Sequence, residues 1–138
     1  MTSKLPDINL SYFLEASPEQ VFSSLTRPES LTRWFSTKAM IDPAEGGRFT
    51  LVMKNGFVWE GKIRGMKENK AVSFSWVEGV ASFALARKGK GTLLKLSHTG
   101  FETTDALAQS SAGWSYYLTN LKSVLDHGAD LRSKEDSF

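Results

Sequence analysis

The feature that most constrains this chain is an amphipathic stretch between residues 104 and 127. Its apolar side chains recur at helical spacing and form one stripe, made of Trp114, Tyr117, Leu118, Leu121, Val124 and Leu125. The opposite side carries Ser115, Thr119, Asn120, Lys122, Ser123 and Asp126. Gly128 follows at a position where helices end in the left-handed conformation, and His127 lies where a cation favours the helix dipole. The pattern predicts a helix of about five or six turns with one face that must be covered.

The residues near the N-terminus predict a strand followed by two short helices. Residues 8–16 largely alternate between apolar and polar side chains, which is typical of a half-buried strand. Ser17, Pro18 and Gln20 then form the sequence pattern of a capped helix start. Pro28 begins a second short helix by the same logic, and the two helices together are expected to span residues 18–35.

The region between residues 38 and 99 predicts an antiparallel meander. Short alternating runs, separated by turn residues, lie at 38–42, 47–54, 57–65, 71–77, 80–88 and 91–99. Asn55-Gly56 is expected to form a two-residue type I′ turn. One face of the sheet is apolar apart from a histidine, and consists of Phe49, Leu51, Met53, Phe57, Trp59, Ile63, Val72, Phe74, Trp76, Phe83, Leu85, Leu94, Leu96 and His98. We therefore expect an α+β fold in which a curved seven-stranded antiparallel sheet wraps around the long C-terminal helix, with a hollow between them.

Composition limits the class of protein. The chain has 138 residues, 41% of them hydrophobic, which suits one domain over residues 1–138 with a flexible tail at residues 129–138. Its 17 Lys and Arg residues against 15 Asp and Glu residues argue against nucleic acid as a partner. The sequence contains no cysteine and begins without a signal-peptide pattern, so we expect a cytoplasmic protein without membrane insertion.

Short motifs of helix caps, turns and aromatic residues, each of low specificity alone, occur along almost the whole chain. They are Ala16-Ser17-Pro18-Glu19-Gln20-Val21-Phe22, Leu31-Thr32-Arg33-Trp34-Phe35, Gly46-Gly47-Arg48-Phe49, Trp59-Glu60-Gly61-Lys62-Ile63, His98-Thr99-Gly100-Phe101, and Gly113-Trp114 through Leu118 and Leu121 to Gly128. In this order the chain resembles the helix-grip fold of the SRPBCC superfamily, which includes START domains and the birch-pollen allergen group. Within it, the chain is most similar to the activator-of-heat-shock-protein-90-ATPase homologue group. The resemblance implies a pocket for an apolar ligand between helix and sheet.

The candidate ligand-binding residues are those expected to face this pocket. They are Trp34, Phe49, Leu51, Trp59, Phe74, Trp76, Leu85, Leu96, His98, Trp114, Tyr117, Leu118 and Leu121. The tryptophans and Tyr117 either line a cavity or fill a solid core, and their polar atoms suit a cavity wall somewhat better. His98 is either satisfied by backbone groups near the end of its strand or in contact with ligand, and the first interpretation is preferred.

No constellation of catalytic or metal-binding residues is recognisable in the sequence. The two histidines, His98 and His127, lack the partners of a zinc or iron site, and no nucleophile motif occurs. Glu60 and Glu102 are expected on solvated edges rather than as a catalytic pair. We therefore predict no catalytic residue, no metal site and no cofactor.

Three functions remain open from the sequence. The leading hypothesis is a small cytoplasmic domain, monomeric or weakly dimeric, that binds an unidentified hydrophobic or amphipathic small molecule and is not an enzyme. The second is a co-chaperone-like module that contacts heat shock protein 90, although full activators carry a further N-terminal domain for which this chain has no room. The third is a polyketide cyclase-like enzyme with His98 as the base, which a shortage of polar cavity residues makes weaker.

Overall fold

A computed structural model describes residues 5–132, and its seven strands form one antiparallel sheet. The strands are β1 (Ile8–Leu14), β2 (Lys38–Ile41), β3 (Arg48–Val52), β4 (Val58–Lys67), β5 (Ala71–Ser75), β6 (Val80–Lys88) and β7 (Gly91–Thr99). Their order across the sheet is β1-β7-β6-β5-β4-β3-β2, so β1 joins the meander beside β7. The helix-grip architecture predicted from the sequence is confirmed, and the observed strand ends differ from the predicted ones by at most two residues.

Three helices complete the fold: α1 (Pro18–Thr26), α2 (Pro28–Leu31) and α3 (Thr104–His127). The start of α1 carries the predicted capping box, because Gln20 N donates to Ser17 Oγ at 3.2 Å and Ser17 N donates to Gln20 Oε1 at 3.0 Å. Gly128 ends α3 with a φ of 69°. These two helix boundaries were fully encoded in local sequence.

Two local predictions were wrong. The second short helix ends at Leu31, and residues 32–35 form a turn that carries Trp34 and Phe35 into the core. The β3–β4 connection is a five-residue loop, in which only Gly56 has a positive φ. A type I′ turn requires positive φ at both central residues. The Asn55 side chain instead accepts the backbone N–H of Phe57 at 3.0 Å, which stabilises the wider loop.

The second half of α3 packs against the sheet, and its contact with β1 extends beyond the apolar stripe. Leu118 and Leu121 are almost completely buried in the core. Beside them, Asp126 accepts the backbone N–H of Glu15 at 2.8 Å and pairs with Lys122 at 2.7 Å. The polar side of the helix is therefore not wholly exposed to solvent, since Asp126 is 1% exposed at its side chain.

The segment after α3 folds back onto the turn that follows α2. Asn120, which is fully buried, donates to the carbonyl oxygen of Trp34 at 2.9 Å and accepts the N–H of Leu131 at 2.6 Å. Arg132 donates to the carbonyl oxygens of Ser36 and Thr32 at 3.2 and 2.9 Å. These bonds involve Leu131 and Arg132, two of the residues 129–138 for which a flexible tail was predicted. Residues 133–138 lie outside the described part of the chain, and the flexible tail stays a prediction.

Candidate functional site: an aromatic cleft beside the first half of α3

Small residues along one face of α3 create the site. Ala106, Ser110 and Gly113 follow one another at helical spacing and lead to Tyr117, whereas the second half of the helix presents leucines. A Cβ atom added at Gly113 would meet nothing within 4 Å, apart from the helix's own nearby backbone. Because these side chains are too short to reach the sheet, the first half of α3 leaves a space that the second half fills.

This space is a cleft of about 680 Å³ between α3, the β3–β4 loop and the β5–β6 turn. Its volume lies in the usual range of small-molecule sites, roughly 300–1,000 Å³. The lining residues are Phe35, Met53, Asn55, Phe57, Trp59, Trp76, Val77, Glu78, Ala106, Gln109, Ser110, Ala112, Gly113, Trp114 and Tyr117. Phe57 and Val77 lie at the mouth, where they are 48% and 65% exposed.

Aromatic rings form a continuous wall of the cleft. The Trp59 and Trp76 ring centroids are 4.7 Å apart, and Trp76 lies 5.0 Å from Trp114. Phe35 contacts Tyr117 edge to face at 4.8 Å. Such offset and edge-on pairs add roughly 0.5–1.5 kcal/mol each beyond the area they bury. The rings therefore hold one another in place and present a preformed surface.

The polar atoms of these aromatic residues divide into two groups. The indole N–H of Trp34 donates to Ser24 O at 2.9 Å, and that of Trp114 donates to His98 Nδ1 at 3.0 Å. Within residues 5–132, by contrast, the indole N–H groups of Trp59 and Trp76 and the hydroxyl of Tyr117 have no hydrogen-bond partner. Burial raises the pKa of the Tyr117 hydroxyl, so it stays protonated at neutral pH. Three of the aromatic residues that line the cleft thus carry a donor that is not used within residues 5–132.

His98 is fully buried behind the cleft and uses both ring nitrogens. Because Nδ1 accepts the indole N–H of Trp114, the ring proton lies on Nε2, which donates to the carbonyl oxygen of Glu78 at 2.7 Å. Burial lowers the pKa of His98, although the Glu78 carbonyl and carboxylate act in the opposite direction. The ring is therefore neutral, and it positions Trp114 rather than contacting the cleft.

Glu78 connects the β5–β6 turn to the start of α3. Its carboxylate accepts the backbone N–H groups of Glu102 and Thr103 at 2.7 and 3.0 Å and the Thr103 hydroxyl at 2.9 Å. The pKa of this carboxyl group is lowered, mainly by the hydrogen bond from the N–H of Glu102. The Thr103 bonds and the nearby His98 add smaller effects in the same direction, and desolvation opposes them. Thr103 is the N-cap residue of α3, so Glu78 fixes the helix end that borders the cleft.

The predicted site residues separate into three groups in the structure. Trp59, Trp76, Trp114 and Tyr117 line the cleft. Trp34, Phe49, Leu51 and Phe74 border a separate small pocket of about 20 Å³, which has room for little more than one water molecule. The remaining predicted residues do not line the cleft but are buried in the core: Leu85, Leu96, His98, Leu118 and Leu121.

Several cleft residues were missed by sequence reasoning. The spacing of Ala106, Ser110 and Gly113 was the signal available, since it marks where an otherwise bulky helix face becomes shallow. Glu78 had no such signal, because its partners lie 24 and 25 residues further along the chain. In residues 5–132, no three His, Asp or Glu side chains converge as metal ligands, and no helix of that range has the length and hydrophobicity needed to span a membrane.

The chain is similar to several solved structures. The Aha1 dimer from Colwellia psychrerythraea is 26% identical, with a TM-score of 0.79 over 90% of this chain and 98% of that protein. CalU16 from Micromonospora echinospora is 26% identical, with a TM-score of 0.74 over 91% of this chain and 83% of its own. SSP2350 from Staphylococcus saprophyticus shares the fold at 22% identity, with a TM-score of 0.83 over 93% and 97% of the two chains.

The family comparison agrees with the fold. No curated protein matches the chain by sequence. Residues 15–126, which run from the end of β1 to nearly the end of α3, match the family described as Activator of Hsp90 ATPase homolog 1-like protein. This match spans both the cleft and the core that supports it. The chain therefore belongs to the Activator of Hsp90 ATPase homolog 1-like family, within the SRPBCC superfamily.

Proposed function

We propose that the protein binds a hydrophobic or amphipathic small molecule in the cleft beside α3. The observation on which the proposal rests is an aromatic cleft of about 680 Å³ lined by Trp59 and Trp76, whose indole N–H groups have no hydrogen-bond partner within residues 5–132. In a filled core such donors cost free energy unless they find an acceptor. In a binding site they are the few polar groups that orient a mostly apolar ligand.

The same geometry favours binding over catalysis. The titratable side chains that line the cleft are Glu78 and Tyr117. The Glu78 carboxylate already accepts three hydrogen bonds at the start of α3. Both ring nitrogens of His98 are also hydrogen-bonded, one to Trp114 and one to the backbone carbonyl of Glu78. A cyclase mechanism with His98 as the base therefore finds no support in the site, because no ring nitrogen faces the cleft.

Native mass spectrometry tests the proposal. We expect protein purified without added ligand, or incubated with a panel of apolar compounds, to show a one-to-one adduct that disappears on denaturation. The Trp59→Ala/Trp76→Ala variant should lose the adduct, because it removes two indole rings from the aromatic wall. An exposed-site variant, Lys90→Ala, should retain it. Failure of every compound to form a saturable adduct would contradict the proposal.

A chaperone-contacting role is a second candidate. It is favoured by the family match and by the similarity to the Colwellia Aha1 dimer. The outer face of β2–β4 offers a surface away from the cleft, where Met40 and Val58 are 67% and 46% exposed. If the role holds, the protein should change the ATPase rate of purified heat shock protein 90, and Met40→Glu/Val58→Glu should abolish that change. An unchanged rate would exclude stimulation.

A further inference from the structure

The charges around the cleft restrict what it binds. Of the described residues that line it, none is Lys, Arg or His, and the one charged side chain is the carboxylate of Glu78. A ligand carboxylate would have to leave water without gaining a cation as its partner, and it would also meet the like charge of Glu78. The site is therefore unsuited to fatty acids and to other anionic amphiphiles.

The hydrogen-bonding groups restrict the ligand further. Indole N–H groups only donate, so Trp59 and Trp76 need acceptor atoms, and the protonated hydroxyl of Tyr117 adds a third donor. The rings around these donors favour flat aromatic partners that stack or pack edge to face. A hydrocarbon would fill the space but would leave the donors without acceptors.

We infer that the cleft selects an uncharged aromatic compound that carries a carbonyl or ether oxygen, in preference to a carboxylate of the same shape. This inference rests on the proposed function, because it specifies the ligand of the same cleft. Selection arises from two separate causes. The absence of a cation among the described lining residues works against the carboxylate, and the free donors favour the oxygen acceptor over a plain hydrocarbon.

Three naphthalene derivatives of nearly equal shape test the inference: 2-acetylnaphthalene, 2-ethylnaphthalene and 2-naphthoate. Their dissociation constants are measured by ligand-observed NMR titration at pH 7.5. One hydrogen bond to a neutral donor is expected to make the ketone bind about three- to tenfold more tightly than the ethyl compound. The naphthoate should bind more weakly than either. Equal or tighter binding of the naphthoate relative to the ketone would overturn the inference.

Phenylalanine and tyrosine variants identify the donors. Trp59→Phe, Trp76→Phe and Tyr117→Phe each remove one donor and keep an aromatic ring. At least one of them should bring the ketone-to-ethyl affinity ratio close to one. Tyr12→Phe serves as the control, since the Tyr12 hydroxyl contacts Thr119 and Ser115 O on α3 and Tyr12 does not line the cleft. An unchanged ratio in all three cleft variants would overturn the inference.

The outcomes separate this inference from the proposed function. Binding of all three compounds with similar affinity would support a ligand-binding cleft and overturn its selectivity. Absence of binding by all three compounds, together with the absence of any adduct in native mass spectrometry, would overturn the proposed function and the inference with it.

Discussion

Trp114 is the residue at which the core and the cleft meet. Its ring forms part of the aromatic wall, while its N–H is bonded to His98 on the core side. This bond requires an unprotonated Nδ1, so the orientation of a cleft residue depends on the protonation state of a buried histidine. Burial lowers the pKa of His98 below that of the unfolded chain, and the neutral ring is therefore the native form.

A pH dependence of stability follows from His98. Below its unfolded pKa of about 6.5, the unfolded chain binds a proton that the native ring resists, so the free energy of unfolding should fall as the pH is lowered. Each unit of difference between the two pKa values contributes up to about 1.4 kcal/mol. Urea unfolding at pH 7.5 and at pH 5.5 measures this loss.

His98→Gln should remove most of the pH dependence, because the amide does not titrate. The exposed His127, at the end of α3, offers the matched control, and His127→Gln should keep the loss of stability. A parent protein that is equally stable at both pH values would show that His98 is not held neutral.

At the scale of elements, α3 is a helix with two different halves. The half with leucines contributes Leu118 and Leu121 to the core and contacts β1, and the half with small residues borders the cleft. Hydrophobic periodicity predicts the two halves as one helix, because it depends on the spacing of apolar residues and not on the length of their side chains. Stability should therefore depend on the second half, and ligand binding on the first.

Leu121→Arg is expected to unfold most of the protein. Leu121 is completely buried, and loss of a buried leucine costs about 2–5 kcal/mol before the cost of an unpaired charge is added. The total stability of such a domain is roughly 5–15 kcal/mol. Ala108→Arg places the same charge on an exposed position of α3 and should change the melting temperature little. Similar melting temperatures for the two variants would contradict the assigned orientation of the helix.

The start of α3 should loosen when Glu78 loses its charge. Glu78→Gln keeps the shape of the side chain but weakens the bonds to Glu102 and Thr103. Amide hydrogen exchange should become faster over residues 102–107, while the core strand β7 keeps its protection. Unchanged exchange at residues 102–107 would show that the carboxylate does not hold this end of the helix.

The features that could be predicted from the sequence are those formed by residues close together in the chain. The capping box at Ser17 and the helix end at Gly128 were predictable, since their partners lie within a few residues. The strands were predictable from alternation. The burial of Asn120 was not, because it depends on the backbone of Trp34, 86 residues earlier. The candidate binding residues chosen from the sequence came from both halves of α3, whereas the cleft lies beside the first half. The spacing of apolar residues does not show which inward side chains are long enough to reach the sheet.

At the scale of the whole molecule, the fold holds the cleft open from several sides. Arg132 binds the carbonyl oxygens of Thr32 and Ser36, on either side of the segment that supplies Phe35 to the aromatic wall. Glu78 secures the start of α3 on the other side. The cleft is therefore braced by residues that do not themselves provide its apolar surface, which accounts for an unfilled space beside a close-packed core.

Gly113→Phe is the sharpest test of whether the space beside α3 is a ligand site. The new ring has room at Gly113 and should fill part of the cleft without lowering stability, while Ala108→Phe adds the same ring on the exposed side of α3. Thermal melts are recorded for the parent and both variants with a panel of uncharged aromatic compounds. At a hundred times Kd, a ligand stabilises the native state by about 2.7 kcal/mol, which is a shift of several degrees. We predict this shift for the parent and for Ala108→Phe and its loss in Gly113→Phe. A full shift in Gly113→Phe, or no shift in the parent with any compound, would contradict a ligand site in the cleft.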